Sequence, residues 1–166
     1  TQKAAVLEAR KRALAGESAA QILKELTYAK DDCQIFLTVE DLKYLRQGGR
    51  ISASSAVFGN LLNIKPILSL AGEKVEAVGK VRGDKLARKK IIQCLEECLE
   101  NKFHTTDLSE FYLAAAASMS REDALAWKTQ LEDHFGVRCS MSPIPLSLGC
   151  HLGHGTYGAA FIKRMK

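Results

Sequence analysis

Residues 33–49 read C-Q-I-F-L-T-V-E-D-L-K-Y-L-R-Q-G-G, and the hydrophobic pattern changes part-way along. Cys33 to Val39 is a short apolar run with β-branched and aromatic side chains, bounded by Asp31-Asp32 and Glu40-Asp41, as a buried strand is. Leu42 to Arg46 then reads as a short helix. Gly48-Gly49 stops it, because glycine reaches positive φ where other residues do not. A buried strand running straight into a capped turn of helix marks a chain that mixes both kinds of element.

The same alternation extends in both directions. Upstream, Val6, Leu7, Ala9, Ala13 and Leu14 keep helical spacing, Gly16 breaks it, and Ser18 caps a second helix carrying Ile22, Leu23 and Leu26. Downstream, serines at 52, 54 and 55 precede Val57, Phe58, Leu61 and Leu62, which predicts a capped apolar helix running to Asn63, and Pro66 excludes its continuation. Ile67–Leu70 and Val75–Val78 flank Ala71-Gly72-Glu73-Lys74, a hairpin pattern with a glycine turn. After Gly83, the residues Ala87, Ile91, Cys94, Leu95 and Cys98 share one face of a long amphipathic helix, with Lys85, Arg88, Lys89, Glu96 and Glu97 largely on the other.

Phe111–Ala117 is an apolar strand pattern. Ser120 with Asp123 opens a helix whose Ala124, Trp127, Leu131 and Phe135 form a stripe ending at Gly136. Val137–Met141 reads as a further strand. Pro143 and Pro145 interrupt, Gly149–Gly155 reads as a glycine and histidine loop, and Tyr157–Ile162 as a closing strand. With no internal repeat and no low-complexity linker, the expected class is α/β (α+β), one mixed sheet with flanking helices.

Composition narrows the function classes. At 166 residues, 46% hydrophobic and 26% charged, the chain has the size and balance of one folded domain. No apolar run approaches the eighteen or so residues of a membrane helix, and no signal pattern opens the chain, so a cytoplasmic protein is expected. Thr1 stands where methionine is usual and a helix begins at once, as in a piece of a longer protein. The five cysteines form no C-x-x-C pair and are odd in number, and they read as reduced, mostly buried thiols. No metal and no cofactor is implied.

Four blocks carry a resemblance. D-L-K-Y-L-R-Q-G-G-R-I-S (41–52), F-G-N-L-L-N-I-K-P-I-L-S-L (58–70), K-V-R-G (80–83) and G-C-H-L-G-H-G-T-Y-G-A-A-F (149–161) resemble, in order and spacing, the blocks of the DegV family of fatty-acid-binding proteins. His154 stands where that family's terminal block has proline. The resemblance covers essentially the whole chain. It implies the C-terminal portion of such a carrier, with residues 1–40 a remnant of the N-terminal domain and 41–166 the C-terminal lipid-binding domain. It further implies a carrier that is not a catalyst, holding a long-chain fatty acid in a tunnel between two domains.

His151 maps onto the family's terminal histidine, and an imidazole can donate to a carboxylate. Gly153 and Gly155 would let backbone approach the ligand, and Phe58, Leu62, Ile64 and Ile67 would contribute apolar lining. The resemblance also implies a fatty acid kinase as partner, met by Arg50 and Arg82. Two rival readings come from the residues themselves. One makes Gly48-Gly49-Arg50 and the basic patch a phosphate or nucleic-acid cradle, although no recognition helix with interleaved aromatics accompanies it. The other makes His151 a general base beside Cys150, although adjacent residues seldom direct their side chains at each other.

Overall fold

The computed structural model describes residues 2–49, 63–71 and 74–164. Six strands form one sheet in the order β3-β2-β1-β6-β4-β5. They are β1 (Cys33–Thr38), β2 (Ile64–Ala71), β3 (Lys74–Arg82), β4 (Phe111–Ala117), β5 (Cys139–Pro143) and β6 (Tyr157–Lys163). β4 and β5 run parallel and every other neighbouring pair antiparallel, so the sheet is mixed, as expected. β1, which the sequence groups with residues 1–40, is an interior strand paired with β2 on one side and β6 on the other.

The helices are α1 (Gln2–Leu14), α2 (Ala19–Ala29), α3 (Lys43–Gln47), α4 (Asp84–Asn101), α5 (Arg121–Phe135) and α6 (Leu146–Leu152). Ser18 caps α2 through a reciprocal bond with Gln21, Ser120 accepts from the Asp123 N–H at the start of α5, and Gly136 ends α5 at φ 67°. The predicted stops and starts therefore coincide with real caps.

One expectation is not addressed by the described residues, and two boundaries differ from expectation. The helix predicted through Val57, Phe58, Leu61 and Leu62 falls on residues outside the described ones. β2 begins at Ile64 and so contains Pro66. That is tolerable because β1 pairs only from Ile67 onward, and no ladder bond to β1 waits for the missing N–H. The supposed glycine and histidine loop at 149–155 is mostly helix, since α6 covers Leu146–Leu152. Pro145 does not interrupt here. It sits at the N-cap with φ −66° and ψ 154°, and its carbonyl accepts from the N–H groups of Leu148 and Gly149.

The two faces of the sheet are covered unequally. On one, Phe36, Ile67, Leu113, Tyr157 and Phe161 meet Ala87, Ile91, Leu95 and Cys98 of α4 and Trp127 and Leu131 of α5 in the main core. Trp127 is wholly buried and donates its indole N–H to the Gly158 carbonyl at 3.3 Å. Arg88, placed by periodicity on the solvated side of α4, instead lies over the Trp127 and Tyr157 rings, 5.8 and 5.4 Å from their centroids, and pairs with Asp84 at 2.9 Å. On the other face, a smaller cluster joins Leu37 and Leu68 to Leu42 and Leu45 around α3, with Leu152 of α6 beside it. On β4 and β6 that face carries alanine and glycine at 114, 116, 158 and 160, and this is where the cavity lies.

Candidate functional site

Strand alternation decides what the second face presents. β1 turns Ile35 and Leu37 to it, β4 turns Ala114 and Ala116, and β6 turns Gly158 and Ala160. With alanine and glycine across β4 and β6, the floor is low where leucine or phenylalanine would have filled it. The result is a cavity of about 770 Å³, walled by Leu70 and Val75 of the β2–β3 hairpin, Leu45 of α3, and Ile144, Leu148 and Leu152 around α6. That volume lies within the ~300–1,000 Å³ typical of small-molecule sites. Ser147, His151 and Thr156 are the polar side chains in the lining, and they lie on α6 or in the connection from α6 to β6. The site is apolar along its floor and polar at one end.

His151 is held there by an interhelical contact. α3 and α6 pack against each other, and a Cβ placed on Gly48 would collide with Nδ1 of the His151 ring. The glycine thus keeps the ring's position open. Thr156 is buried, donates its hydroxyl to the Leu152 carbonyl at 2.9 Å, and receives its own backbone partner from Ser118 Oγ, which accepts at 3.1 Å. Ser118 in turn donates to the Gly153 carbonyl at 2.7 Å. This chain of bonds ties the end of α6 to the end of β4, so the polar end is fixed from two sides.

The glycines of the terminal block do another job than the sequence reading assigned them. Gly153 has φ 78°, and a Cβ there would lie 2.5 Å from the Tyr44 ring; Gly155 has φ 73°, and a Cβ would lie 2.9 Å from Glu40 Oε2. Their space is taken by α3 and by the end of β1, inside the protein. Ile67 is fully buried in the core beneath α4, on the opposite face of the sheet from Leu70, the β2 residue that lines the cavity. Ile64 is half-buried at the start of β2 and is not among the lining residues. Phe58, Leu62 and Arg50 lie outside the described residues.

Of the proposed cations, Arg82 is exposed at the end of edge strand β3. Lys65 is buried and ion-paired with Glu40, and Lys90 pairs with Glu97 at 3.6 Å, so the basic run does not form one continuous patch. Cys150 is exposed and follows Gly149 in α6, one residue from His151; consecutive helical residues diverge around the axis, which leaves no nucleophile and base pair. Among the described residues no group of three His, Cys, Asp or Glu side chains could hold a metal ion, and no helix is long and apolar enough to cross a membrane. The residues that sequence reasoning missed are Ser147 and Thr156. Gly48 was read as a helix stop and as part of an anion cradle, and nothing local shows that it faces an imidazole 103 positions away.

Comparison with known proteins follows the same outline. The model of the DegV family matches residues 1–164. The chain belongs to the DegV family. A DegV domain-containing protein of Listeria monocytogenes is 33% identical over 153 residues, covering 92% of this chain and 52% of the relative. Among solved structures, a fatty-acid-binding DegV protein of Thermus thermophilus superposes with a TM-score of 0.79 at 28% identity, over 96% of this chain and 55% of that one. A fatty-acid-binding DegV protein of Streptococcus agalactiae gives 0.74 at 25% identity, over 98% and 54%. The DegV chain described here thus spans about half the length of the relatives it matches.

Proposed function

We propose that this DegV chain binds a long-chain fatty acid on the open face of its sheet, with the acyl chain on the alanine and glycine floor and the carboxylate at His151. The single observation that carries this reading is the cavity itself, which is apolar throughout except at the end where Ser147, His151 and Thr156 gather. A fatty acid has the same division. The fatty-acid-binding neighbours from Thermus thermophilus and Streptococcus agalactiae support the ligand class. One charge-assisted hydrogen bond contributes about 1.5–3 kcal/mol, and each buried methylene about 0.8 kcal/mol, so the tail supplies most of the affinity and the imidazole sets the direction. Nothing in such a role requires catalysis.

In the complete protein a second domain closes the face that is open here, making a tunnel, and the exposed Arg82 at the rim offers a cation to an acyl kinase. The test is to denature the purified protein and identify released acids by mass spectrometry. A long-chain acid in the wild type, with retention weakened roughly ten- to hundredfold in His151→Ala, is expected from the loss of one such bond. A protein that carries no lipid and takes up none when offered it would end the proposal. For the partner, Arg82→Glu should weaken kinase binding and leave lipid occupancy intact; equal binding by both would remove Arg82 from the interface.

A further inference from the structure

A second, smaller cavity of about 300 Å³ lies between the sheet and the α1–α2 pair, with Gln2, Glu8, Lys30 and Lys163 as its polar lining. Its apolar and aromatic lining is Ala4, Ala5, Leu26 and Ala29 from the helices and Cys33, Tyr112 and Ile162 from the sheet. Those three sheet residues are two positions further along β1, β4 and β6 than Ile35, Ala114 and Ala160, which line the main cavity. Side chains two apart share a face, so the two cavities lie on one face, end to end. From Thr156 at the polar end to Ala160, the last β6 residue lining the main cavity, is four strand steps, roughly 13 Å at about 3.3 Å per residue. The acyl chains of one membrane leaflet reach about 15 Å, half of a ~30 Å hydrocarbon core. A long acyl chain that starts at His151 therefore runs out of the first cavity and into the second.

We propose that the pocket under α1–α2 receives the methyl end of the acyl chain, and that Tyr112 is its end wall and so limits the length of acid accepted. This inference rests on the carrier reading above. Tyr112 is placed for the task. Its neighbours along the floor are Ala114 and Ala116, so it is the first bulky side chain that β4 presents on this face. Its ring is also fixed, with the Arg164 guanidinium 3.8 Å from the ring centroid. The helices above present alanines at 4, 5 and 29, which lets α1 and α2 lie close over the tail. Tyr112 is 44% exposed, so shortening it opens the wall without emptying a core.

The experiment offers the delipidated wild-type chain an equimolar mixture of straight-chain saturated acids graded in length, and reads the retained acids by mass spectrometry. The wild type should show affinity rising with length and then falling sharply. Tyr112→Ala should move that fall to longer acids, each newly accommodated methylene raising affinity about fourfold. Ala114→Leu, which raises the floor midway, should move it to shorter ones; far-ultraviolet circular dichroism confirms that both variants are folded. A wild type that retains acids while both variants keep its length profile overturns the end wall and leaves the carrier reading standing. A wild type that retains none overturns both.

Discussion

At the scale of single residues, three positions test how tight the packing is. Thr38 is fully buried in β1 between Ile67 and Tyr157, and its hydroxyl has no hydrogen-bond partner among the described residues. An unpaired buried hydroxyl costs about 1–3 kcal/mol, while valine has the same shape and the same β-branching. Thr38→Val should therefore stabilise the protein by about 1 kcal/mol in urea denaturation, and a clear loss would mean that the hydroxyl is bonded. Gly153 is the opposite case. Its φ of 78° and the Tyr44 ring, 2.5 Å from where a Cβ would lie, mean that Gly153→Ala meets backbone strain and a clash together. A loss of about 2–3 kcal/mol is expected. Gly48→Ala has an allowed backbone, φ −78°, and collides chiefly with the far end of the His151 side chain, which can turn away, so it should leave the melting curve almost unchanged and displace His151. Weakened lipid retention without lost stability is the result to look for.

At the scale of elements, α4 shows how far periodicity carries. Its spacing identified Ala87, Ile91, Cys94, Leu95 and Cys98 as one face, and all five are buried. Burial drives the Cys98 thiol up to about 11 and the Cys139 thiol on β5 to about 12, from an ordinary 9.0. A thiol whose folded pKa is raised adds stability that is complete below the unfolded value and disappears as pH climbs through the folded one. Urea midpoints should hold to about pH 9 and fall toward pH 12, less steeply in Cys139→Ala; an identical slope in that variant would assign the fall to other groups. Caps and apolar stripes are local, so α2, α4, α5 and the six strands were legible in the residues. The helix α6 was not, because Gly149 and Cys150 are poor helix formers between two prolines and another glycine, and only packing on α3 makes the turn worthwhile. The site was half legible for the same reason. His151 came from a motif, whereas Thr156, Ser147 and the α1–α2 pocket depend on which strands lie side by side, and the misplacement of Ile67 came from a face assignment that needs the register of β1 and β2.

At the scale of the whole molecule, the unequal faces set an expectation about stability and ligand together. The face under α4 and α5 holds Trp127, Tyr157 and Phe161 wholly buried, and it is a finished layer. Among the described residues, the opposite face has only the five residues of α3, the seven of α6 and the α1–α2 pair over it, and Leu148 and Leu23 remain half or more exposed. A fatty acid on that face would supply the apolar contacts that the alanine floor leaves unmade. It binds the folded chain and has no site on the unfolded one, so at a hundred times its dissociation constant it adds about 2.7 kcal/mol. For a domain of this size each kcal/mol raises the melting temperature by about 2–4 °C. Delipidated protein given a matching acid should therefore melt roughly 5–10 °C higher, Tyr112→Ala should gain as much from a longer acid, and His151→Ala should gain less from either. The methyl ester of the same acid separates the two ends of the cavity, since it keeps the tail and removes the charge. An ester that stabilises the wild type as much as the free acid does would detach His151 from the head group, even with the apolar floor fully occupied.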